Sequence, residues 1–293
     1  MTIIGKTEEV NMEYITLNNG TKAPLCGIGT FLMNPEEAEQ AVYDALTNGY
    51  RMIDTANAYM NERAVGRGLK RSGVAREDVY LITKLWPSVY ADADKAVDET
   101  LSRLGVEYVD LLFLHKPAGD YVGAYKAMER AVRAGKVKSL GLSNFPEEQI
   151  KEVVEAAEIK PAFVQVEAHP YYPQTALKEY LKPMGTAIMA WYPLGHGDKS
   201  LVNEEVFTKL AEKYGKSNAQ IILRWHTQVG DVVIPGSKNV DHIRDNIDIF
   251  DFTLTDDELA EIRSVDRNKR YYTASEEALQ GYLQFAPDFN EQP

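Results

Sequence analysis

The chain has 293 residues, 44% of them hydrophobic, with a formal net charge of −12 and a single cysteine. That length supports one large core, and α/β barrels commonly run as one domain at roughly 250 residues. The acidic balance argues against a nucleic-acid footprint, which needs clustered basic charge, and the lone Cys26 argues for a reducing, cytoplasmic compartment. Met1 to Met12 reads as a loose extension without the apolar run of a signal peptide. No stretch approaches the roughly 18 uninterrupted apolar residues of a membrane helix.

Tyr14 to Leu17 and Ala23 to Leu25 flank Asn18-Asn19-Gly20, which predicts a β-hairpin because Asn-Gly suits the positive φ of a tight turn. Leu25 to Thr30 follows as a first barrel strand. Pro35-Glu36-Glu37 opens a helix to about Thr47, with acidic residues at its positive end. Strands are then expected near 51–54, 79–84, 108–114, 138–142, 163–166, 186–191 and 231–234. Helices are expected near 61–72, 91–104, 121–134, 147–158, 174–182, 204–214 and 240–248. Apolar runs alternating with amphipathic segments indicate βα units and a parallel sheet, and eight such units argue for closure. Two helical segments, Ser217 to Gln228 and Asp256 to Val265, exceed the eightfold plan. The tail from Asp266 to Pro293 carries Tyr271, Tyr272, Tyr282, Phe285 and Phe289, and is read as a loop able to cover one mouth. The expectation is a single domain, residues 1–293, of the α/β class. It is a (β/α)₈ TIM barrel with an N-terminal β-hairpin, two extra helices and a C-terminal loop.

Three successive strands end in chemistry-bearing residues. The first runs to Asp54, with Tyr59 five residues on; the second ends in Lys84; the third ends at His115. Carboxyl ends of strands are where barrel enzymes keep their chemistry. Taken singly, each residue has a plain structural reading: a helix cap, a solvated lysine, a packed tyrosine, a hydrogen-bonded histidine. Their occurrence together favours catalysis.

The segments Gly49-Tyr50-Arg51-Met52-Ile53-Asp54-Thr55-Ala56 with Tyr59-Met60-Asn61-Glu62, Thr83-Lys84-Leu85-Trp86, and Asp110 to His115 resemble the aldo-keto reductases. So do Gly141-Leu142-Ser143-Asn144-Phe145, Gln165-Val166-Glu167-Ala168-His169-Pro170, Trp191-Tyr192-Pro193-Leu194-Gly195 and Ile234-Pro235-Gly236-Ser237. Seven ordered segments over nearly the whole chain make the resemblance specific. It implies an NAD(P)H-dependent reductase of aldehydes or ketones, most simply a monomer, acting on a small carbonyl substrate. It also implies a cofactor lying across the top of the barrel. Gly27-Ile28-Gly29-Thr30-Phe31-Leu32 agrees, because it lacks the third glycine of a dinucleotide fingerprint.

Reducing a carbonyl needs a hydride at carbon and a proton at oxygen. Tyr59 is the candidate acid. A free phenol titrates near pH 10, so a nearby Lys84 ammonium is expected to lower it. Asp54 would pair with Lys84, and His115 would orient the substrate oxygen. The resemblance assigns the cofactor to Thr30, Ser143, Asn144, Gln165, Trp191, Tyr192, Pro193, Leu194 and Gly195. At the adenosine end it adds Ile234, Gly236, Ser237, Lys238, His242, Asp245 and Asn246. No metal ligands are expected, since His169, His196 and His226 lack ligand spacing.

Two departures from the family pattern matter. NADPH-preferring members usually carry Lys in place of Gly236 and Arg in place of His242, so either NADP(H) or NAD(H) is expected, with NADH favoured. Lys238 and Arg244 stand nearby and could restore the clamp. Val164 replaces a frequent asparagine beside Gln165. Phe31, Trp86, His115 and Lys116 are the expected substrate contacts. Lys116 stands where an aromatic is frequent, and favours a carboxylate-bearing substrate unless it points to solvent. The rivals are a metal-dependent barrel, which Asp54, His115 and Glu167 alone serve poorly, and a cofactor-binding barrel with a sensing or structural role.

Overall fold

The computed structural model describes residues 11–293, so most of the expected N-terminal extension lies outside the described residues. The hairpin is β1 (Tyr14–Thr16) and β2 (Lys22–Pro24), antiparallel, with Gly20 at φ +82° in the turn. Its tip covers the amino end of the barrel: the Asn18 amide donates to the Pro161 carbonyl (2.9 Å) and the Asn19 amide to Ser139 Oγ (2.9 Å). The opposite end is therefore the one left for a site.

Eight parallel strands follow in sequence order: β3 (Ile28–Gly29), β4 (Met52–Asp54), β5 (Tyr80–Leu85), β6 (Val109–Leu114), β7 (Val137–Ser143), β8 (Phe163–Glu167), β9 (Ala187–Trp191) and β10 (Val232–Val233). A parallel bridge between Cys26 and Val233 closes the ring, with Gly27 N–H donating to Val233 O (2.9 Å). The first and last strands are shorter than expected, and β10 stops before Pro235, which has no N–H for the ladder.

Helices α1 (Pro35–Thr47), α2 (Glu62–Ser72), α3 (Ala93–Leu104), α4 (Tyr121–Arg133), α5 (Glu147–Ala156) and α6 (Thr175–Leu181) form most of the outer layer. A short α7 (Lys199–Val202) precedes α8 (Glu205–Tyr214), α9 (Asn218–Gln228), α10 (Val240–Ile247) and α11 (Asp256–Arg263). Helices α8, α9 and α11 enclose a second apolar cluster around Phe207, Leu210, Ile222, Trp225 and Ile262. The tail is not loop throughout. It includes α12 (Glu276–Gln284), capped by Ser275, whose hydroxyl accepts from Ala278 N–H, with Glu276 and Glu277 in the first turn. Among the described residues no helix is long and apolar enough to cross a membrane.

Strand register explains why the polar strand ends converge. Asp54 lies opposite Ile82, and Lys84 is two residues beyond Ile82, on the same face. Asp54 and Lys84 therefore share one face of adjacent strands. A second buried pair braces them from outside. Glu62 at the start of α2 accepts from Thr83 Oγ (2.6 Å) and from Arg103 Nε (2.6 Å), all three residues being buried. Thr83 is the neighbour of Lys84, and its side chain faces the other way, so this bond fixes the strand from behind.

Candidate active site

Lys84 is fully buried and Asp54 nearly so. Lys84 Nζ lies 2.6 Å from Asp54 Oδ1 and donates to the Thr55 carbonyl at 2.8 Å. The other Asp54 oxygen, Oδ2, accepts from Gln165 Nε2 at 2.9 Å. Gln165 Oε1 accepts from Ser143 Oγ (3.2 Å), which accepts from Asn144 Nδ2 (2.9 Å), and that same amide donates to the His115 carbonyl (3.2 Å). Strands β4 to β8 are thus joined by one polar chain. Burial of these groups demands it, because an unpaired buried polar atom costs on the order of 1–3 kcal/mol.

Tyr59 sits on a single 3₁₀ turn after β4, and Lys84 Nζ is 5.0 Å from its ring centroid. The His115 ring meets Tyr59 edge-on at 5.5 Å and Trp86 edge-on at 5.0 Å. Burial drives the His115 imidazole well below its ordinary range, and the Lys84 and Lys116 charges push it the same way. It is therefore neutral at pH 7 and can donate one hydrogen bond. Burial also raises the Tyr59 phenol well above its ordinary value, followed by Asp54 and Tyr192. This corrects the expected lowering by Lys84. The ammonium is aimed at Asp54 and Thr55, and burial lowers its own affinity for the proton, opposed by Asp54 and Glu62. Lys84 consequently loses its charge before Tyr59 ionises. Its contact with Asp54 favours the charged form beside the ring.

These groups open into a cavity of about 1190 Å³. Asp54, Tyr59 and His115 line it, with Phe31, Trp86 and Lys116. Asn144, Gln165, Trp191, Tyr192, Pro193 and Leu194 line it too, as do Ile234, Gly236, Ser237 and Lys238. The remaining expected cofactor residues sit outside the lining. Thr30 is buried and its hydroxyl donates to the Asp54 carbonyl (3.2 Å); Ser143 is buried within the polar chain; Gly195 is buried behind Leu194. His242 and Asp245 are exposed on α10, and Asn246 is buried there with its carbonyl toward Cys26 Sγ.

Asn61 escaped the sequence reading. It resembles an ordinary helix cap, yet it is buried and ties the loops together. It accepts from Thr55 Oγ (2.8 Å) and donates to the Thr30 and Met33 carbonyls (3.1 Å each). Leu32, Asn144, Tyr192 and His196 line the cavity with positive φ, a costly backbone state that clusters at functional sites. From the tail, Tyr272, Tyr282 and Phe285 line the cavity, whereas Tyr271 turns to Asp198 (2.6 Å) and Phe289 is buried elsewhere. Glu167, a candidate metal ligand in the rival reading, instead holds this tail. Its two oxygens accept from Tyr271 N–H (2.6 Å) and Tyr272 N–H (3.0 Å), and Oε1 also meets His169 Nε2 at 3.0 Å. Burial acts to raise the Glu167 carboxyl, but these partners outweigh it and hold it low.

The Aldo/keto reductase family model matches residues 25–267. Morphine 6-dehydrogenase of Pseudomonas putida is 41% identical over 272 residues, covering 87% of this chain and 92% of that protein. Glyoxal reductase of Bacillus subtilis is 40% identical over 269 residues, covering 90% and 97%. The crystal structure of a Bombyx mori aldo-keto reductase in complex with NADP superposes with a TM-score of 0.83 at 34% identity, covering 89% of this chain and 95% of that one. The chain belongs to the aldo/keto reductase family, and within it is an NAD(P)H-dependent oxidoreductase that reduces carbonyl groups.

Proposed function

We propose that Tyr59 gives the proton to the carbonyl oxygen of an aldehyde or ketone bound against His115, with Lys84 and Asp54 as the charge pair behind it. The observation that carries this reading is the Lys84–Asp54 contact of 2.6 Å with its ammonium 5.0 Å from the Tyr59 ring, facing a large open cavity. A phenol with a raised pKa stays protonated at neutral pH. It gives up that proton only to a strong base, and an alkoxide forming at the substrate carbon is one. As the proton leaves, the nearby ammonium stabilises the phenolate that remains, an interaction stronger in the transition state than before it. Neutral His115 donates to the same oxygen and fixes its direction.

A nicotinamide cofactor supplies the hydride. The cavity suits such a group: it is large, and Trp191 Nε1 and His115 Nδ1 are buried at it without partners. Ser143, Asn144 and Gln165 would hold the carboxamide and Trp191 the ring. Tyr192 to Gly195 would follow the pyrophosphate, and Ile234 to Lys238 the adenosine end. Of Thr30, His242, Asp245 and Asn246, the exposed His242 and Asp245 on α10 remain available there, and Thr30 and Asn246 support the loops. All these groups come from one chain, consistent with a monomer, and the lone buried Cys26 fits a reducing cytoplasm.

The adenosine end favours NADH. A Cβ at Gly236 would sit 3.1 Å from the Gly29 carbonyl, a tight contact with backbone, and no side-chain cation stands at this position. Lys238 Nζ is already paired with Glu37 Oε2 at 2.7 Å. Arg244 bonds Asn48 (2.9 Å) and Asp241 (3.5 Å). A 2′-phosphate would have to compete with Glu37 for Lys238, beside which the carboxyl of Glu37 titrates lower than usual.

Three outcomes are expected. Tyr59→Phe lowers kcat by about 10²–10⁴-fold for a neutral aldehyde while cofactor binding survives; undiminished turnover would remove Tyr59 as the acid. The pH profile of kcat/KM for reduction of that aldehyde is flat between about pH 6 and 8, because His115 is already neutral there. It falls toward alkaline pH as Lys84, lowered by burial, loses its charge ahead of Tyr59. An acid-side break near the ordinary imidazole pKa would count against this arrangement. Finally, kcat/KM with NADH equals or exceeds that with NADPH. Glu37→Gln, which preserves the capping box with Asn34, shifts the ratio toward NADPH by roughly tenfold through the freed Lys238. A 100-fold NADPH preference in the wild type would defeat the cofactor reading.

A further inference from the structure

The cavity is lined by two lysines, and their surroundings differ. Lys238 is neutralised by Glu37. Lys116, two residues after β6, makes no ion pair among the described residues. Its Nζ lies 5.0 Å from the Tyr272 ring centroid and 4.9 Å from that of Tyr282, so the tail folds over the ammonium with two aromatic faces. Its backbone is held from the opposite side, with Tyr90 Oη donating to the Lys116 carbonyl (3.0 Å) and accepting from its N–H (3.2 Å).

The groups that face this ammonium are Lys84 from β5, the neutral His115 beside it, and the Tyr272 and Tyr282 rings from the tail. None carries negative charge at pH 7. Burial pulls the Lys116 ammonium down to about 8, and the Lys84 charge adds to the effect. A cation kept in such a place lacks a counter-charge, and rings satisfy it only in part. The cavity next to it is apolar, walled by Trp86, Tyr282 and Phe285, whose rings meet edge-on at 5.3 and 5.6 Å. Trp86 Nε1 is occupied by the Tyr282 carbonyl (2.8 Å), and the Tyr272 and Tyr282 hydroxyls hydrogen-bond each other, which leaves Lys116 as the one cation on this side among the described residues.

We infer that Lys116 sets specificity by receiving a carboxylate carried by the carbonyl substrate, a few bonds from the C=O group, with the apolar body between lying on Trp86 and Phe285. This rests on the reductase reading above and names its substrate class. The chain's net charge of −12 repels anions at long range, but physiological salt screens that field beyond about 8 Å. Within contact distance the partly desolvated ammonium dominates.

The test uses 4-carboxybenzaldehyde and benzaldehyde, which differ by the para carboxylate. Calorimetric titration of the cofactor-free wild-type protein is expected to give tighter binding of 4-carboxybenzaldehyde. Lys116→Gln lowers the ratio of the two affinities by roughly tenfold to a hundredfold, the range of a hydrogen bond to a charged partner, and Lys116→Arg retains it. The ratio of kcat/KM values moves in parallel. Equal weakening of both ligands by Lys116→Gln, no change in the ratio, or a wild-type preference for benzaldehyde would overturn the assignment. Lys116-dependent binding of 4-carboxybenzaldehyde without cofactor oxidation would uphold the carboxylate site and count against the reductase reading alone.

Discussion

The ion pair between Lys84 and Asp54 is the constraint around which the upper face of this barrel is arranged. Burying two charges is expensive, and their attraction repays the cost only with good geometry and further hydrogen bonds. Here each partner is satisfied: the ammonium by Asp54 and the Thr55 carbonyl, the carboxylate by Lys84 and Gln165. Such a pair is weak evidence for stability, since apolar replacements of similar volume are often neutral or better. Its placement beneath Tyr59, at the floor of the cavity, gives it a different use. In the proposed reaction it would keep a positive charge, already desolvated and already oriented, where phenolate charge would develop on Tyr59.

Other features of the site follow from keeping that charge dry and still. Glu62 and Arg103 brace β5 from behind through Thr83, and Asn61 stitches the loops after β3 and β4. The tail roofs the cavity and is held by Glu167 through two backbone amides, so the lid is anchored to the same strand that supplies Gln165. Desolvation has a second consequence, in that His115 is neutral and Tyr59 protonated across the physiological range. The resting site thus holds its proton donors charged only at Lys84 and Lys116.

Much of this was legible in the amino-acid sequence. An apolar run that stops at a polar residue marks both a barrel strand and its carboxyl end, which is why Asp54, Lys84 and His115 could be placed at one end of the barrel from the sequence. The Asn-Gly hairpin and the helices starting at Pro35 and Ser217 were equally local signals. Other features depend on partners far away in the chain. Nothing near Glu167 indicates that it will bind the backbone of Tyr271 and Tyr272. Burial of the Tyr59 phenol, set by loops and strands distant in the chain, reversed the effect expected of Lys84 upon it. Lys238 looked free to restore a phosphate clamp, but Glu37, some two hundred residues earlier, occupies it. The tail read as loop because its aromatic and polar residues lack clear periodicity, and α12 is short with no fully buried side chain.

The central claim is that the charge on Lys84 acts on Tyr59 during turnover rather than merely filling a buried space. Replacing Lys84 by Met keeps the length and apolar stem and removes the charge. The most direct test is kcat of Lys84→Met for a neutral aldehyde, with folding checked by circular dichroism and cofactor binding by titration. A folded, cofactor-binding protein whose kcat falls about 100-fold or more is the expected result. The same protein turning over at the wild-type rate would contradict the claim.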